Sequence, residues 1–145
     1  MPTKEKLDKY TFRYIESEIY AYQDTLKRID MLRYQIIHET TNNDDENVGA
    51  GSNSVRSNHS IPEQKATSLL TDKRLQRMQE KAKAIQKVYD GLLPEKQEVI
   101  KLYYWDRPGE LTWEGVATKT NTSRATALRW RKQFVCDVAK ELGEM

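Results

Sequence analysis

Five basic side chains, Lys119, Arg124, Arg129, Arg131 and Lys132, lie between Gly115 and Cys136, and no acid lies among them. Such groups suit the recognition of nucleic acid. A guanidinium donates two parallel hydrogen bonds to a guanine edge or a phosphate, and an ammonium meets a phosphate as a point charge. Helical geometry sorts the candidates. Turning about 100° per residue from Ala127, the inner stripe is Ala127, Trp130 and Phe134, whereas Ala125, Arg129 and Lys132 face the opposite way and Arg124 projects from the first turn. Base contacts are therefore expected from Arg124, Ala125 and Arg129, with Ala125 touching a thymine methyl, and phosphate contacts from Lys119, Thr122, Ser123 and Lys132. Arg131 stands apart. It lies only about 40° from the inner stripe, which suits a stem packed beside the core and paired with an acid at least as well as it suits DNA.

These side chains need a rigid mount, and residues 112–132 read as two short helices joined by a tight turn. Thr112 can cap the first helix, Val116 and Ala117 form its inner face, and Asn121 sits where the chain turns sharply, a place that favours Gly or an Asn at positive φ. Ala117 must be small for the helices to cross closely, and Ser123 offers the second N-cap. This is the pattern of a helix-turn-helix, which also occurs as a plain structural element. Upstream, Pro94 starts a helix through Val99, Ile100, Leu102, Tyr103 and Tyr104, and Arg107-Pro108-Gly109 ends it. Helices over 94–105, 113–119 and 123–142 then make a three-helix domain. Tyr103, Tyr104, Trp105, Trp113 and Trp130 fill much of its core, because their spacing matches packing faces better than base-stacking platforms.

Further upstream, Phe12, Ile15, Ile19, Tyr22, Leu26, Ile29 and Ile36 recur at threes and fours with Arg33 as the interruption, a helical seam close to coiled-coil spacing. A second long helix is expected from about Ile61 to Asp90, opened by a Ser60/Glu63 capping box with Pro62, carrying Leu75, Met78, Ala82, Ile85 and Tyr89, and stopped by Gly91. An antiparallel pair within one chain and a helical homodimer are both compatible with these seams. Residues 39–60, rich in Asn, Ser, Gly and acid, read as a mobile loop. Its Val48-Gly49-Ala50-Gly51 lacks the Gly-Lys-Thr/Ser of a phosphate cradle and reads as a hinge. The expected organisation is all-α, with a long-helix region at 1–91 for assembly or partner contact and a helix-turn-helix DNA-binding domain at 92–145.

Composition narrows the class. The chain has 145 residues, a formal charge of +2 and a hydrophobic fraction of 37%, so the case for nucleic acid rests on where charge is placed. No apolar run of about 18 residues is present to span a membrane, and the first residues lack a secretory core, so a cytoplasmic protein is expected. Cys136 is a lone cysteine, and His38 and His59 are far apart, so neither a disulfide nor a zinc set is expected. The acids sit beside lysines on solvated helical faces, and no nucleophile, base and orienting group fall together. No catalytic residue, metal or cofactor is assigned, and enzymatic activity is not expected.

Leu-Tyr-Tyr-Trp at 102–105, Leu-Thr-Trp-Glu-Gly-Val-Ala at 111–117 and Ser-Arg-Ala-Thr-Ala-Leu-Arg-Trp-Arg at 123–131 resemble the C-terminal part of the RinA/ArpU-like phage transcriptional regulators. Leu32-Arg-Tyr-Gln-Ile36, Asn47-Val-Gly-Ala-Gly51, Ile61-Pro-Glu63 and Asp72-Lys-Arg-Leu75 follow the same order, so the likeness extends over nearly the whole chain. The last three helices are also similar to the promoter-reading domain of bacterial sigma factors. The resemblance implies a small regulator that binds double-stranded promoter DNA and activates late operons of phages or prophages in Gram-positive hosts. It would work as a homodimer in the host cytoplasm, associated with the nucleoid, with host RNA polymerase as a candidate partner. Thr122 stands where a hydrophobic residue often precedes the recognition helix, and Ala50 stands within the glycine-rich loop; both leave base preference open. Two other classes fit a helical chain of this kind. One is a DNA-packaging adaptor similar to a small terminase subunit, marked by ring assembly. The other is a helical interaction protein that binds no DNA.

Overall fold

A computed structural model describes residues 6–47 and 63–145. Among them the chain is all-helical: α1 (Lys9–Tyr20), α2 (Tyr22–Asn47), α3 (Glu63–Thr71), α4 (Lys73–Asp90), α5 (Pro94–Lys101), a π-helical turn (Leu102–Asp106), α6 (Trp113–Lys119) and α7 (Arg124–Glu141). Each of the two expected long helices is interrupted. The first breaks at Ala21, where the Ile19 carbonyl accepts the indole N–H of Trp105 at 2.8 Å, a tertiary partner that periodicity cannot reveal. The second breaks at Asp72. Its carboxylate accepts the backbone N–H groups of Arg74 (3.0 Å) and Leu75 (3.1 Å), and so caps α4 from within what reads as one continuous pattern. α2 runs on through Asn47, into the segment expected as a loop. The Ser60 cap, Pro62 and the 48–51 glycine segment lie outside the described residues.

The chain forms two compact units, one from Met1–Asp24 with Glu80–Met145 and the other from Thr25–Gln79. The boundary expected between Gly91 and Leu92 thus falls inside the first unit, where α1 and the end of α4 join the C-terminal helices. Its main core gathers Ile15 and Ile19 from α1, Ile85 from α4, Ile100 from α5, Tyr104 from the π-turn, and Phe134, Val135, Val138 and Ala139 from α7. The pairs 15/19, 134/138 and 135/139 are four apart, so each helix presents one face to this core. Ile15 and Ile19 are fully buried, and burial of each is worth about 1.5–3 kcal/mol. A second cluster joins Val99, Val116, Ala117 and Ala127, with Trp130 against it. The neighbours Val99 and Ile100 serve different clusters, so α5 packs on two sides.

The π-turn lets three consecutive aromatic residues reach three partners. Its wide hydrogen bond runs from the Arg107 N–H to the Leu102 carbonyl at 3.3 Å. Tyr103 stacks on Trp113 with centroids 3.8 Å apart, Tyr104 is buried with its hydroxyl 2.7 Å from Glu16, and Trp105 lies against Tyr22 and Tyr89. In the second unit Ile29, Ile36, Leu69 and Leu75 are buried, while Leu26, Met31, Tyr34 and Leu70 remain exposed. The N-terminal seam is accordingly divided: Phe12, Ile15, Ile19 and Tyr22 serve the first unit's core, and Ile29 and Ile36 are buried within the second.

Candidate nucleic-acid interface

The α6–α7 connection is built by its own side chains and leaves little slack. Thr112 Oγ1 accepts the Gly115 N–H at 3.1 Å and opens α6. At the other end Asn121 adopts φ 56°, the left-handed region in which Asn is the most tolerant residue after Gly. The Thr122 N–H then donates to the Ala117 carbonyl (2.9 Å) and the Asn121 N–H to the Thr118 carbonyl (3.4 Å), a Schellman closure with Asn in the usual glycine position. Thr122 alone separates that residue from Ser123, whose Oγ accepts the Thr126 N–H at 3.1 Å and caps α7. Ala117 is 4% exposed at this crossing, and any larger side chain there would press on the facing helix.

On this mount Arg124, Ala125, Arg129 and Lys132 are exposed along α7, and Lys119 is exposed at the end of α6. Arg129 Nη2 donates to Thr126 Oγ1 at 3.1 Å, which steers its guanidinium along the first turn. Arg124 Nε lies 4.0 Å from Glu114 Oε1, a contact between two largely exposed groups that solvent screens. The two hydroxyl candidates are less free than their positions imply. Thr122 donates to the Thr120 carbonyl at 3.2 Å and Ser123 donates to Thr126 Oγ1 at 2.8 Å, so each meets a phosphate as a donor only by giving up an internal bond.

Arg131 points inward. Its Nε lies 2.7 Å from Glu16 Oε2 and its Nη2 3.0 Å from Oε1, a two-point pair. The guanidinium also lies 5.2 Å from the Phe12 ring centre and 5.5 Å from that of Trp113. Hydrogen bonding to Glu16 raises the pKa of Arg131 further above its ordinary value, and burial does the same to the Tyr104 phenol, which therefore stays a donor to Glu16. Glu16 is the functional partner that reasoning from sequence missed. Its one signal is an acid inside the apolar stripe Phe12, Ile15, Ile19.

No group of three His, Cys, Asp or Glu side chains among the described residues is arranged to hold a metal ion, and no described helix is long and apolar enough to cross a membrane. No curated protein and no solved structure matches the chain. A family model described as "Protein of unknown function (DUF722)" matches residues 4–140, nearly the full length, and the chain belongs to that family.

Proposed function

We propose that the chain is a sequence-specific, double-stranded DNA-binding transcription regulator, in which α6, the Asn121 turn and α7 form the helix-turn-helix. Together with α5 they make up the sigma-like three-helix arrangement. The observation that carries this reading is the exposed stripe of α7, Arg124, Ala125, Arg129 and Lys132, mounted beside a closed turn while Arg131 is engaged inside. The N-terminal half of α7 lies in the major groove, Arg124 and Arg129 read guanine edges, Ala125 meets a thymine methyl, and Lys119 and Lys132 hold phosphates. Thr122 and Ser123 fix the turn and meet the backbone second. The resemblance to RinA/ArpU-like regulators supports activation of late phage or prophage operons through host RNA polymerase at the nucleoid. A homodimer places two reading helices on paired half-sites, and exposed Leu26, Met31, Tyr34 and Leu70 supply apolar surface for it.

The test begins with selection of preferred duplexes from a random pool. Arg124→Ala and Arg129→Ala are each expected to cost about 1–3 kcal/mol on a selected duplex and much less on random DNA. Equal losses on both would reduce these arginines to phosphate contacts, and a wild-type chain that binds no duplex would remove the DNA reading. Ring assembly with binding at packaging sites alone would move the chain to the adaptor class.

A further inference from the structure

We infer that the exposed flank of α1 is a second DNA-contacting strip, in which Lys9 and Arg13 grip phosphates beside the reading helix; this rests on the DNA-binding reading above. In sequence α1 looks electrically neutral, with Lys9 and Arg13 set against Glu16 and Glu18. Folding separates the signs. Glu16 is held by Arg131 at 2.7 Å and Glu18 by Lys81 at 3.0 Å, so both acids of the helix are turned inward and paired. Lys9 and Arg13 are exposed, four residues apart on one face, and have no ion pair among the described residues.

The direction of α1 brings this strip to the right end of the unit. Trp105 lies 5.3 Å from Tyr22, just beyond the C-terminus of α1, and 4.9 Å from Tyr89 at the C-terminal end of α4. Lys87, in the same part of α4, lies 3.2 Å from Glu141, the last residue of α7. α1 and α7 therefore both finish near the end of α4, and their N-terminal halves lie together at the opposite end. The Glu16–Arg131 pair sets the level between them. Lys9 is seven residues before Glu16 and Arg124 is seven before Arg131, about 10 Å back along each axis at 1.5 Å per residue. Arg124 also lies within about 20° of Arg131 around α7, on the flank that faces α1. A duplex seated on the N-terminal half of α7 thus passes the cationic face of α1. Ammonium and guanidinium groups without base-edge geometry add phosphate contacts, which hold the duplex in register without selecting its sequence.

The test uses the full chain carrying Lys9→Gln with Arg13→Gln, random duplex and a selected duplex as probes, and affinity measured across a salt series. Loss of two phosphate contacts makes the plot of log affinity against log salt shallower by about 1.8, and lowers affinity for both duplexes by the same factor. Arg13→Lys with Lys9 intact keeps the wild-type slope, as does Lys83→Gln on exposed α4 surface. Circular dichroism melts matching wild type show that the fold is intact. A wild-type slope in the double variant, while Arg124→Ala loses discrimination, overturns this strip and leaves the DNA reading standing. A change in the ratio of selected to random affinity also overturns it, since phosphate contacts carry no sequence preference. A wild-type chain that binds neither probe overturns both proposals.

Discussion

Removal of the Glu16 carboxylate should be among the most damaging single changes to the first unit outside its apolar core. Glu16 accepts from Arg131 Nε at 2.7 Å, Arg131 Nη2 at 3.0 Å and the Tyr104 hydroxyl at 2.7 Å. Its side chain is 16% exposed and that of Arg131 28%. Glu16→Ala leaves a guanidinium without its counter-ion and a buried phenol without an acceptor. Breaking a fully buried pair costs about 3–5 kcal/mol, and a lost hydrogen bond at the phenol adds about 1 kcal/mol. Water reaching the partly exposed guanidinium, and the rings of Phe12 and Trp113 beside it, recover part of that, so about 2–4 kcal/mol is expected. Glu16→Leu combined with Arg131→Met should restore most of the loss, because the pair's desolvation cost disappears with its attraction. Urea unfolding followed by tryptophan fluorescence suits the measurement, since Trp113 stands beside the pair and the Trp105 indole is bonded to α1. A Glu16→Ala midpoint within about 0.5 kcal/mol of wild type, or strictly additive single and double variants, would refute the reasoning.

Ala117→Leu should destabilise the first unit by about 1–3 kcal/mol through overpacking and abolish binding to every duplex; wild-type melting together with wild-type affinity would argue against the close α6–α7 crossing. A fragment beginning at Leu92 loses Ile15, Ile19, Ile85 and Glu16 from the core and should lack a cooperative thermal transition, which calorimetry or circular dichroism can check. At the α3–α4 joint, the hydrogen bond from Arg74, followed by that from the Leu75 N–H, holds the Asp72 carboxyl below its ordinary pKa. A depressed native pKa stabilises the fold above the unfolded value of about 3.9 and loses that contribution as pH falls through the lower native value. The wild type should therefore lose stability more steeply than Asp72→Asn on acidification below about pH 4, and superimposable melting profiles would remove the cap's role.

Local chemistry around α6 and α7 could be read directly from residue types. Thr112, Ser123 and Asn121 act on groups within a few positions of themselves, so their caps and turn follow from type and spacing, as does the inner stripe of Ala127 and Phe134. Long-range pairings could not be read in this way. Nothing near Arg131 in the chain names Glu16 as its partner, and nothing near Trp105 shows that its indole closes on Ile19. The N-terminal seam keeps one period from Phe12 to Ile36, so it gives no sign that its first residues join one core and later ones another. Asp72 was the one legible break that periodicity concealed, because Thr-Asp before Lys-Arg-Leu is a good cap even inside an apolar repeat.

The π-turn at Leu102–Asp106 makes chain length itself a constraint. Deleting any one of its five residues would let the segment settle into ordinary α-helical winding. Everything upstream would then rotate by about 100° against everything downstream. Val99 and Ile100 would swing out of their separate clusters, and the Tyr104 hydroxyl would leave Glu16. Substitutions here cost single contacts, whereas a deletion shifts the phase of the whole assembly. Among descendants of this sequence, the number of residues between Ile100 and Arg107 should drift less than their identity.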